Sequence, residues 1–108
     1  MSNINFFRAS TEVSNEAFPY LNDLLHLFKG DKSLGIIIEG HTDNSGDYRQ
    51  NIKLSKERAL VIKKFLTDNG VDKNKIKVKG YGPSKPRYNN SSEANKIKNR
   101  RVEIYIDN

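Results

Sequence analysis

Two stretches of the chain repeat apolar residues at steps of three and four, the spacing that places side chains on one face of a helix. The first follows polar residues able to cap a helix and ends near Gly30, a residue type common just after helix C-termini. Pro19 falls in its first turn, where a missing N–H is tolerated. The second runs over residues 47–69. The apolar stripes are Ala17, Phe18, Leu21, Leu24, Leu25 and Phe28 in the first helix, and Leu54, Val61, Ile62, Phe65 and Leu66 in the second.

Four shorter segments have the patterns of β-strands. Residues 34–39 contain three consecutive isoleucines and predict a central strand, whereas residues 75–79 and 101–106 alternate polar and apolar positions. Residues 4–8 are a weaker candidate. The order predicts an α/β (α+β) two-layer sandwich, β-α-β-α-β-loop-β, with a mixed four-stranded sheet and both helices on one face. The side chains expected on the opposite, solvated face are Lys75, Lys77, Lys79, Glu103 and Tyr105.

The polar turn that follows the central strand concentrates chemically active groups. An imidazole, a hydroxyl, a carboxylate and an amide follow one another at His41, Thr42, Asp43 and Asn44. A turn held between a strand and a helix is a common position for a binding site. Arg58 falls on the apolar stripe of the second helix, where an unpaired charge is unfavourable. Asp43 is the nearest candidate partner in the sequence.

The length and composition predict one domain, residues 1–108, and limit its chemistry. The chain has 108 residues and no cysteine, which excludes disulfides and thiolate metal sites. No apolar run is long enough to span a membrane, and the N-terminus lacks the pattern of a signal peptide. We therefore expect either a cytosolic protein or a domain excised from a longer exported protein.

The net charge of +6 is unevenly distributed along the chain. Residues 1–52 carry four basic and seven acidic side chains, whereas residues 53–108 carry fifteen basic and six acidic ones. A basic half is compatible with binding of nucleic acid or another polyanion, which is one hypothesis for function. The alternation of the lysines instead favours a solvated sheet face, and no nucleic-acid-binding motif is present.

Catalytic and metal-binding interpretations have little support in the sequence. His41 and Asp43 offer two ligands for a metal, but no further histidine or cysteine lies nearby. Ser55 has no base at a suitable spacing to act as a nucleophile. A hydrolase that used His41 and Asp43 would also lack a suitably spaced pair of carboxylates. We therefore predict no enzyme activity, no catalytic residue, no metal and no cofactor, and expect the His41 imidazole to hydrogen-bond locally within the turn.

Five short motifs occur in a characteristic order. They are GHTDNSG at residues 40–46, Asn51, LSKERA at 54–59, GYG at 80–82 followed by Pro86, and NRRVEI at 99–104. Together they resemble the OmpA-like C-terminal domain, a family that includes peptidoglycan-associated lipoproteins and the periplasmic domains of flagellar stator proteins. The resemblance extends from about Ile4 to Ile106, nearly the whole chain.

The resemblance implies non-covalent binding of peptidoglycan through the diaminopimelate of its stem peptide. In the family, the residues that match Asp43 and Arg58 bind diaminopimelate, and those that match Asn51 and Arg100 often line the pocket. The predicted ligand-binding residues are Asp43, Arg58, Asn51, Arg100, Thr42 and Leu54. The implied location is the periplasm, with a tether to the cell outer membrane through a missing parent segment. No nucleic-acid partner is implied, and a dimer stays an open alternative.

The chemistry of the predicted pair agrees with this resemblance. The free end of diaminopimelate carries an ammonium and a carboxylate on one carbon, so a carboxylate and a guanidinium side by side complement it. The alternative is that Asp43 and Arg58 only form an internal salt bridge, and both interpretations hold if the pair opens to share a ligand.

The sequence departs from the family pattern at two places. Asn95 and Lys96 stand where the family usually has Gly-Arg, and Arg8 replaces a small or acidic residue after the first strand. Because asparagine tolerates positive φ better than most residues, we expect a turn to be retained at Asn95. Lysine keeps the charge of arginine but loses its forked geometry.

Overall fold

The computed structural model describes residues 2–6, 10–13 and 15–107. Its helices and strands, in chain order, are β1 (Ser2–Asn5), α1 (Phe18–Gly30), β2 (Gly35–Gly40), α2 (Tyr48–Asp68), β3 (Ile76–Gly80), α3 (Glu93–Asn99) and β4 (Arg101–Asp107). Two short 3-10 helices, Asn15–Ala17 and Lys73–Lys75, precede α1 and β3. Among the described residues, no helix is both long enough and apolar enough to cross a membrane.

The four strands form one mixed sheet in the order β1-β4-β2-β3. β3 is parallel to β2, whereas β4 lies between β2 and β1 and is antiparallel to both. Ile38 of β2 stands opposite Val78 and Ile104, which aligns apolar side chains across the sheet. The predicted α/β sandwich with a mixed four-stranded sheet is therefore confirmed.

The two long helices, α1 and α2, cover one face of the sheet, as predicted. Their apolar stripes meet the inward-facing side chains of the strands in a single core. Phe18 of α1 and Phe65 of α2, with ring centroids 5.7 Å apart, join the helices beside that core. The largest fully buried apolar side chains are Leu21, Ile36, Ile38, Ile62, Leu66 and Val102.

The opposite face of the sheet is less open than the sequence predicted. Lys77 and Lys79 are exposed, but Glu103 is only 3% exposed, because the segment between β3 and β4 folds back across it. Arg87 of that segment places its Nη2 3.2 Å from Oε1 of Glu103. Lys75 is exposed but ends the 3-10 helix before β3, so the predicted strand began one residue too early.

The sequence prediction was also wrong on two elements. β1 spans residues 2–5 rather than 4–8, and Phe7 and Arg8 lie outside the described residues. The long segment between β3 and β4, predicted to be irregular, contains the short helix α3. This helix begins after Ser92, whose Oγ accepts a hydrogen bond from the amide of Asn95. Asn95 is therefore helical, and the turn that we expected there does not form.

Two glycines allow α2 to lie very close to the ends of β2 and β3. A Cβ on Gly40 would lie 1.8 Å from the carbonyl oxygen of Ser55, and a Cβ on Gly80 would lie 2.8 Å from the amide nitrogen of Lys56. Both distances are far below van der Waals contact, so a larger residue would push the helix away. The close approach holds the first half of α2, which carries Arg58, beside the turn after β2.

We predict that Gly40→Ala severely destabilises the fold, whereas Gly30→Ala does not. The methyl group at position 40 meets the backbone of α2, which cannot move without losing helix hydrogen bonds. Overpacking usually costs about 1–3 kcal/mol, and we expect a loss above about 3 kcal/mol here. A Cβ at Gly30 meets nothing within 4 Å. Urea unfolding followed by circular dichroism compares the variants, and equal stabilities would contradict the close packing.

Candidate functional site

A cavity of about 310 Å³ opens at the end of β2, between the turn that follows this strand and the first half of α2. All six residues that the sequence predicted to bind a ligand line this cavity. The lining residues are Thr42, Asp43, Ser45, Gly46, Asp47, Gln50, Asn51, Leu54, Arg58 and Arg100. The structure therefore brings the predicted residues together, while their binding of a ligand stays a prediction.

The turn after β2 is held by hydrogen bonds to β4 and to the segment that follows β3. The amide of His41 donates to the carbonyl of Arg101 at 2.8 Å, and the amide of Thr42 donates to the carbonyl of Gly82 at 3.0 Å. Thr42 Oγ1 donates to the carbonyl of Asp43 at 2.8 Å. Thr42 is 4% exposed, so its hydroxyl acts mainly on the shape of the turn.

The same turn is also tied to the start of α2. Oδ1 of Asp43 accepts a hydrogen bond from the amide of Ser45 at 2.7 Å, and Nδ2 of Asn51 donates to the carbonyl of Ser45 at 2.8 Å. Asp47 caps the helix by accepting from the amide of Arg49 at 2.8 Å. The Asp43 carboxylate is therefore fixed in position before any ligand arrives.

Asp43 forms its ion pair with Arg100. The sequence analysis had suggested Arg58 as its partner, and that prediction was wrong. Nε of Arg100 lies 2.6 Å from Oδ2 of Asp43, and both side chains are buried. Nη2 of Arg100 donates to Oε1 of Glu93 at 2.9 Å. Burial raises the pKa of Asp43, but hydrogen bonds from Ser45 and Arg100 outweigh this effect and lower the pKa overall. Burial lowers the pKa of Arg100, whereas its two carboxylate partners raise it, and the net change is an increase.

Arg58 is the largest of the fully buried side chains, at 1% exposure. Its Nε donates to the carbonyl of Ser10 at 2.8 Å, and its Nη1 donates to the carbonyl of His41 at 3.1 Å. The guanidinium also lies over the ring of Phe6, 5.2 Å from its centroid. Burial lowers the pKa of Arg58 to about 10 against the opposing effect of Asp43, so the group is still protonated at neutral pH.

Burial divides the cavity into a deep wall and a rim. The deep wall consists of Thr42, Asp43, Arg58 and Arg100, each at most 6% exposed. The rim consists of the exposed residues Gly46, Asp47 and Gln50. One carboxylate and two guanidinium groups meet at the deep wall, so this arrangement can hold a ligand group that carries both an ammonium and a carboxylate.

The imidazole of His41 is not part of the cavity lining. It is 2% exposed and stacks on the ring of Tyr81, with centroids 5.5 Å apart. Neither ring nitrogen has a hydrogen-bond partner among the described residues, so the local hydrogen bond predicted from the sequence was wrong. Burial and the nearby Arg101 lower the pKa of His41 to about 4, against the opposing effect of Glu103.

A second group of possible ligands surrounds this histidine. Glu39, His41 and Glu103 each place one potential metal ligand within 4.8 Å of the others. Glu103, however, already accepts hydrogen bonds from Arg87 and Arg101. Because a metal ion would compete with two guanidinium groups for one carboxylate, we assign no metal to this cluster.

Two residues that support the site were not identified from the sequence. Oδ1 of the fully buried Asn99 accepts hydrogen bonds from the amides of Arg87 and Tyr88, each at 3.1 Å, and its Nδ2 donates to the carbonyl of Tyr88 at 2.8 Å. These contacts anchor the long segment before β4 and place Arg100 at the cavity. Glu93 then holds the outer end of the Arg100 guanidinium. Asn99 belongs to the NRRVEI motif, and this membership could have identified it. No feature of the sequence indicated a role for Glu93.

The fold and the cavity define an OmpA-like domain. A family model described as the OmpA family matches residues 5–100 of this chain. The chain therefore belongs to the OmpA family.

Individual relatives agree with this membership. The chain is 31% identical over 105 residues to the probable lipoprotein YiaD of Escherichia coli K12, covering 97% of this chain and 48% of that protein. It is 36% identical over 93 residues to the peptidoglycan-associated lipoprotein of Buchnera aphidicola, covering 86% of this chain and 54% of that protein. The chain thus spans about half the length of these curated relatives.

Comparison with solved structures supports the fold. The crystal structure of the peptidoglycan-associated lipoprotein from Burkholderia pseudomallei superposes with a TM-score of 0.95 at 24% sequence identity. The superposition covers 99% of this chain and 91% of that one. Two chains that share so few residues therefore have nearly the same backbone.

We predict that Arg58→Ala lowers the free energy of unfolding substantially. The change removes the donor to the carbonyls of Ser10 and His41, and the buried His41 carbonyl left without this partner costs about 1–3 kcal/mol. The matched control is Lys64→Ala on the exposed side of α2, where the Lys64 side chain pairs with Asp68. That change should cost less than about 0.5 kcal/mol. A loss below about 1 kcal/mol in Arg58→Ala, measured by urea unfolding, would contradict the structural role of the guanidinium.

We predict that acid destabilises the domain partly through His41. Its pKa is about 4 in the folded chain and near 6.5 when unfolded, so the unfolded state binds the proton more tightly. The contribution of His41 is complete above pH 6.5 and decreases as the pH falls towards 4, with a slope of at most about 1.4 kcal/mol per pH unit. His41→Phe, which keeps an aromatic ring against Tyr81, should flatten the stability profile between pH 7 and 5. His26→Phe, at an exposed position of α1, is the control, and identical slopes in the two variants would exclude His41 as the cause.

Proposed function

We propose that this domain binds peptidoglycan non-covalently, through the diaminopimelate of its stem peptide, and so anchors an envelope protein to the cell wall. The observation that carries the proposal is the convergence of Asp43, Arg58 and Arg100 on the deep wall of one cavity. Membership of the OmpA family and the similarity to a peptidoglycan-associated lipoprotein support it.

The charges of the deep wall complement the free end of diaminopimelate. Asp43 would receive the ammonium: each of its oxygens accepts one bond from the protein, and a carboxylate offers about four acceptor sites. Arg100 uses Nε and Nη2 on carboxylates, and within the described part of the chain its Nη1 donates no hydrogen bond. Arg100 and Arg58 would together attract the ligand carboxylate, with Arg58 contributing charge from its buried position.

The other three residues that the sequence predicted to bind a ligand would have supporting roles. Leu54 is the apolar residue of the lining and would contact the methylene groups of diaminopimelate. Asn51 uses Nδ2 on the carbonyl of Ser45, so its Oδ1 would be the group that faces a ligand amide. Thr42 would act indirectly, by fixing the turn that carries Asp43.

The proposed role is structural rather than enzymatic, as is that of the OmpA family.

The basic second half of the chain can be explained without nucleic-acid binding. Lys77 and Lys79 are exposed on β3, an edge strand of the sheet, where lysines discourage pairing with other chains. The basic composition of the second half therefore does not require a polyanionic ligand.

The proposed location is the periplasm, where the domain would connect a parent protein at the outer membrane to the wall. The relatives are about twice as long as this chain, which is consistent with a domain excised from a longer protein.

Co-sedimentation with purified sacculi tests this proposal. Asp43→Asn keeps the shape of the side chain but removes its charge, so the affinity obtained from the fraction that pellets over a series of sacculus concentrations should fall at least about tenfold, since a charge-assisted bond contributes roughly 1.5–3 kcal/mol. Asp68→Asn, the same change at an exposed position of α2, should pellet like the parent. The proposal is wrong if folded Asp43→Asn pellets as well as the parent, or if the parent prefers DNA to sacculi at physiological salt.

A further inference from the structure

We infer that Tyr48 forms a platform for a sugar ring of the glycan strand, an inference that rests on the proposed function. Peptidoglycan consists of strands of N-acetylated sugars, and each stem peptide is attached to one of these sugars. A domain that holds the stem therefore lies close to the sugar that carries it. Tyr48 is not among the residues that line the cavity, so the platform would be a separate contact.

Tyr48, the first residue of α2, is the most exposed of the large apolar side chains that the structure describes, at 56% exposure. Single exposed apolar residues are common on protein surfaces and require no function. This ring, however, is also fixed in orientation, because its Oη forms a hydrogen bond with Oγ of Ser84 at 2.8 Å. A side chain that is held at both ends loses little freedom when a ligand packs on it, which favours binding.

The ring of Tyr48 is uncovered, in contrast to the rings of two tyrosines in the segment after β3. Nζ of Lys85 lies 4.1 Å from the ring centroid of Tyr81, and Nζ of Lys98 lies 4.8 Å from that of Tyr88. Within the described ranges, no cation and no second aromatic ring lies over Tyr48. Together with its exposure, this leaves the ring accessible to a ligand.

The groups on this surface match a sugar better than a charged ligand. A pyranose has a face of C–H groups that packs on an aromatic ring, and hydroxyl groups at its edge that form hydrogen bonds. Tyr48 supplies an apolar ring with a polar end. The hydroxyl groups of Tyr48 and Ser84 use one donor and one acceptor on each other, so within the described residues one donor and further acceptor sites stay available to a sugar.

The position of Tyr48 fits the length of the stem. Asp47 belongs to the cavity rim, and the Cα atoms of consecutive residues lie about 3.8 Å apart. Ser84 lies at the same end of the sheet, because the amide of Thr42 donates to the carbonyl of Gly82. In the stem, two amino acids and a lactyl group separate diaminopimelate from the sugar, an extended length of roughly 10 Å. A stem that leaves the cavity across the rim would place its sugar within reach of Tyr48.

A purely structural role for the bond between Tyr48 and Ser84 has less support. The segment after β3 is already tied to α2 by the amide of Gly82, which donates to Oγ of the fully buried Ser55 at 2.9 Å. The bond between the two hydroxyl groups is exposed, where water replaces either partner at little cost. Its main effect is therefore to orient the ring.

Isothermal titration calorimetry with two ligands tests the inference. One is L-Ala-γ-D-Glu-diaminopimelate, and the other is the same tripeptide linked to the disaccharide of N-acetylglucosamine and N-acetylmuramic acid. We expect the parent to bind the disaccharide form at least about threefold more tightly, because the sugar buries apolar surface on the ring. In Tyr48→Ala this advantage should disappear, while the affinity for the tripeptide stays that of the parent.

Two further variants serve as controls, and circular dichroism checks that each variant is folded. Ser84→Ala keeps the ring but releases its hydroxyl group, so the advantage of the disaccharide form should decrease without disappearing. Leu60→Ala removes another exposed apolar side chain of α2, about 18 Å further along the helix axis. This variant should keep the affinity ratio of the parent.

The outcomes separate this inference from the proposal beneath it. If the two ligands bind the parent with equal affinity, the platform is wrong and the binding of diaminopimelate stands. If Tyr48→Ala weakens both ligands by the same factor, the ring contacts the peptide instead of the sugar, and the inference is equally wrong. If neither ligand binds the folded parent, the proposed function fails and the inference fails with it.

Discussion

The buried guanidinium of Arg58 is the interaction on which the site depends. It joins three parts of the chain that are distant in sequence: α2, the turn after β2 and the segment before α1, through the carbonyls of His41 and Ser10. A charged group at 1% exposure is stable only where several acceptors surround it. The same residue therefore positions the turn and supplies positive charge to the cavity. A structural role and the proposed ligand-binding role are thus combined in one side chain.

The close packing of α2 on the strand ends makes this arrangement possible. Gly40 lets the helix backbone approach β2 at a distance that a side chain would prevent. The amide of Gly82, a residue with a φ of 56°, donates a hydrogen bond to Oγ of Ser55 at 2.9 Å. This bond ties the segment after β3 to α2. The cavity is thus bounded by backbone that has little freedom to move. A rigid site of this kind orders few groups when a ligand binds, which favours affinity.

Much of the fold could be predicted from hydrophobic spacing, because the helices and central strands bury continuous stripes. α3 could not, since its seven residues are too short to show a period and its cap, Ser92, lies in a polar run. The buried state of Glu103 was also unpredictable. The alternation of polar and apolar residues along β4 indicates that Glu103 faces away from the helices. Its contact with Arg87, however, depends on how the long segment between β3 and β4 folds back.

The site shows the same limit of local reasoning. The position of Arg58 in an apolar stripe predicted that this residue needs a partner. It did not predict which group the partner is. Its acceptors among the described residues include two backbone carbonyls, which carry no sequence signal. Asp43 pairs instead with Arg100, 57 residues away, because β4 lies beside β2 in the sheet. Only the motif resemblance connected Arg100 to the cavity, and only the structure gave the pairing.

A nuclear magnetic resonance titration of the ¹⁵N-labelled domain with a diaminopimelate tripeptide tests the proposed site most directly. We expect shift changes at the amides of residues 42–51 and at the side-chain Nε–H of Arg58 and Arg100. The signals of residues 70–75, around a separate small pocket at the other end of β2, should not move. Shift changes concentrated on that pocket, or on Lys77 and Lys79 of the open sheet face, with none at Asp43 and Arg100, would contradict the assignment of the site.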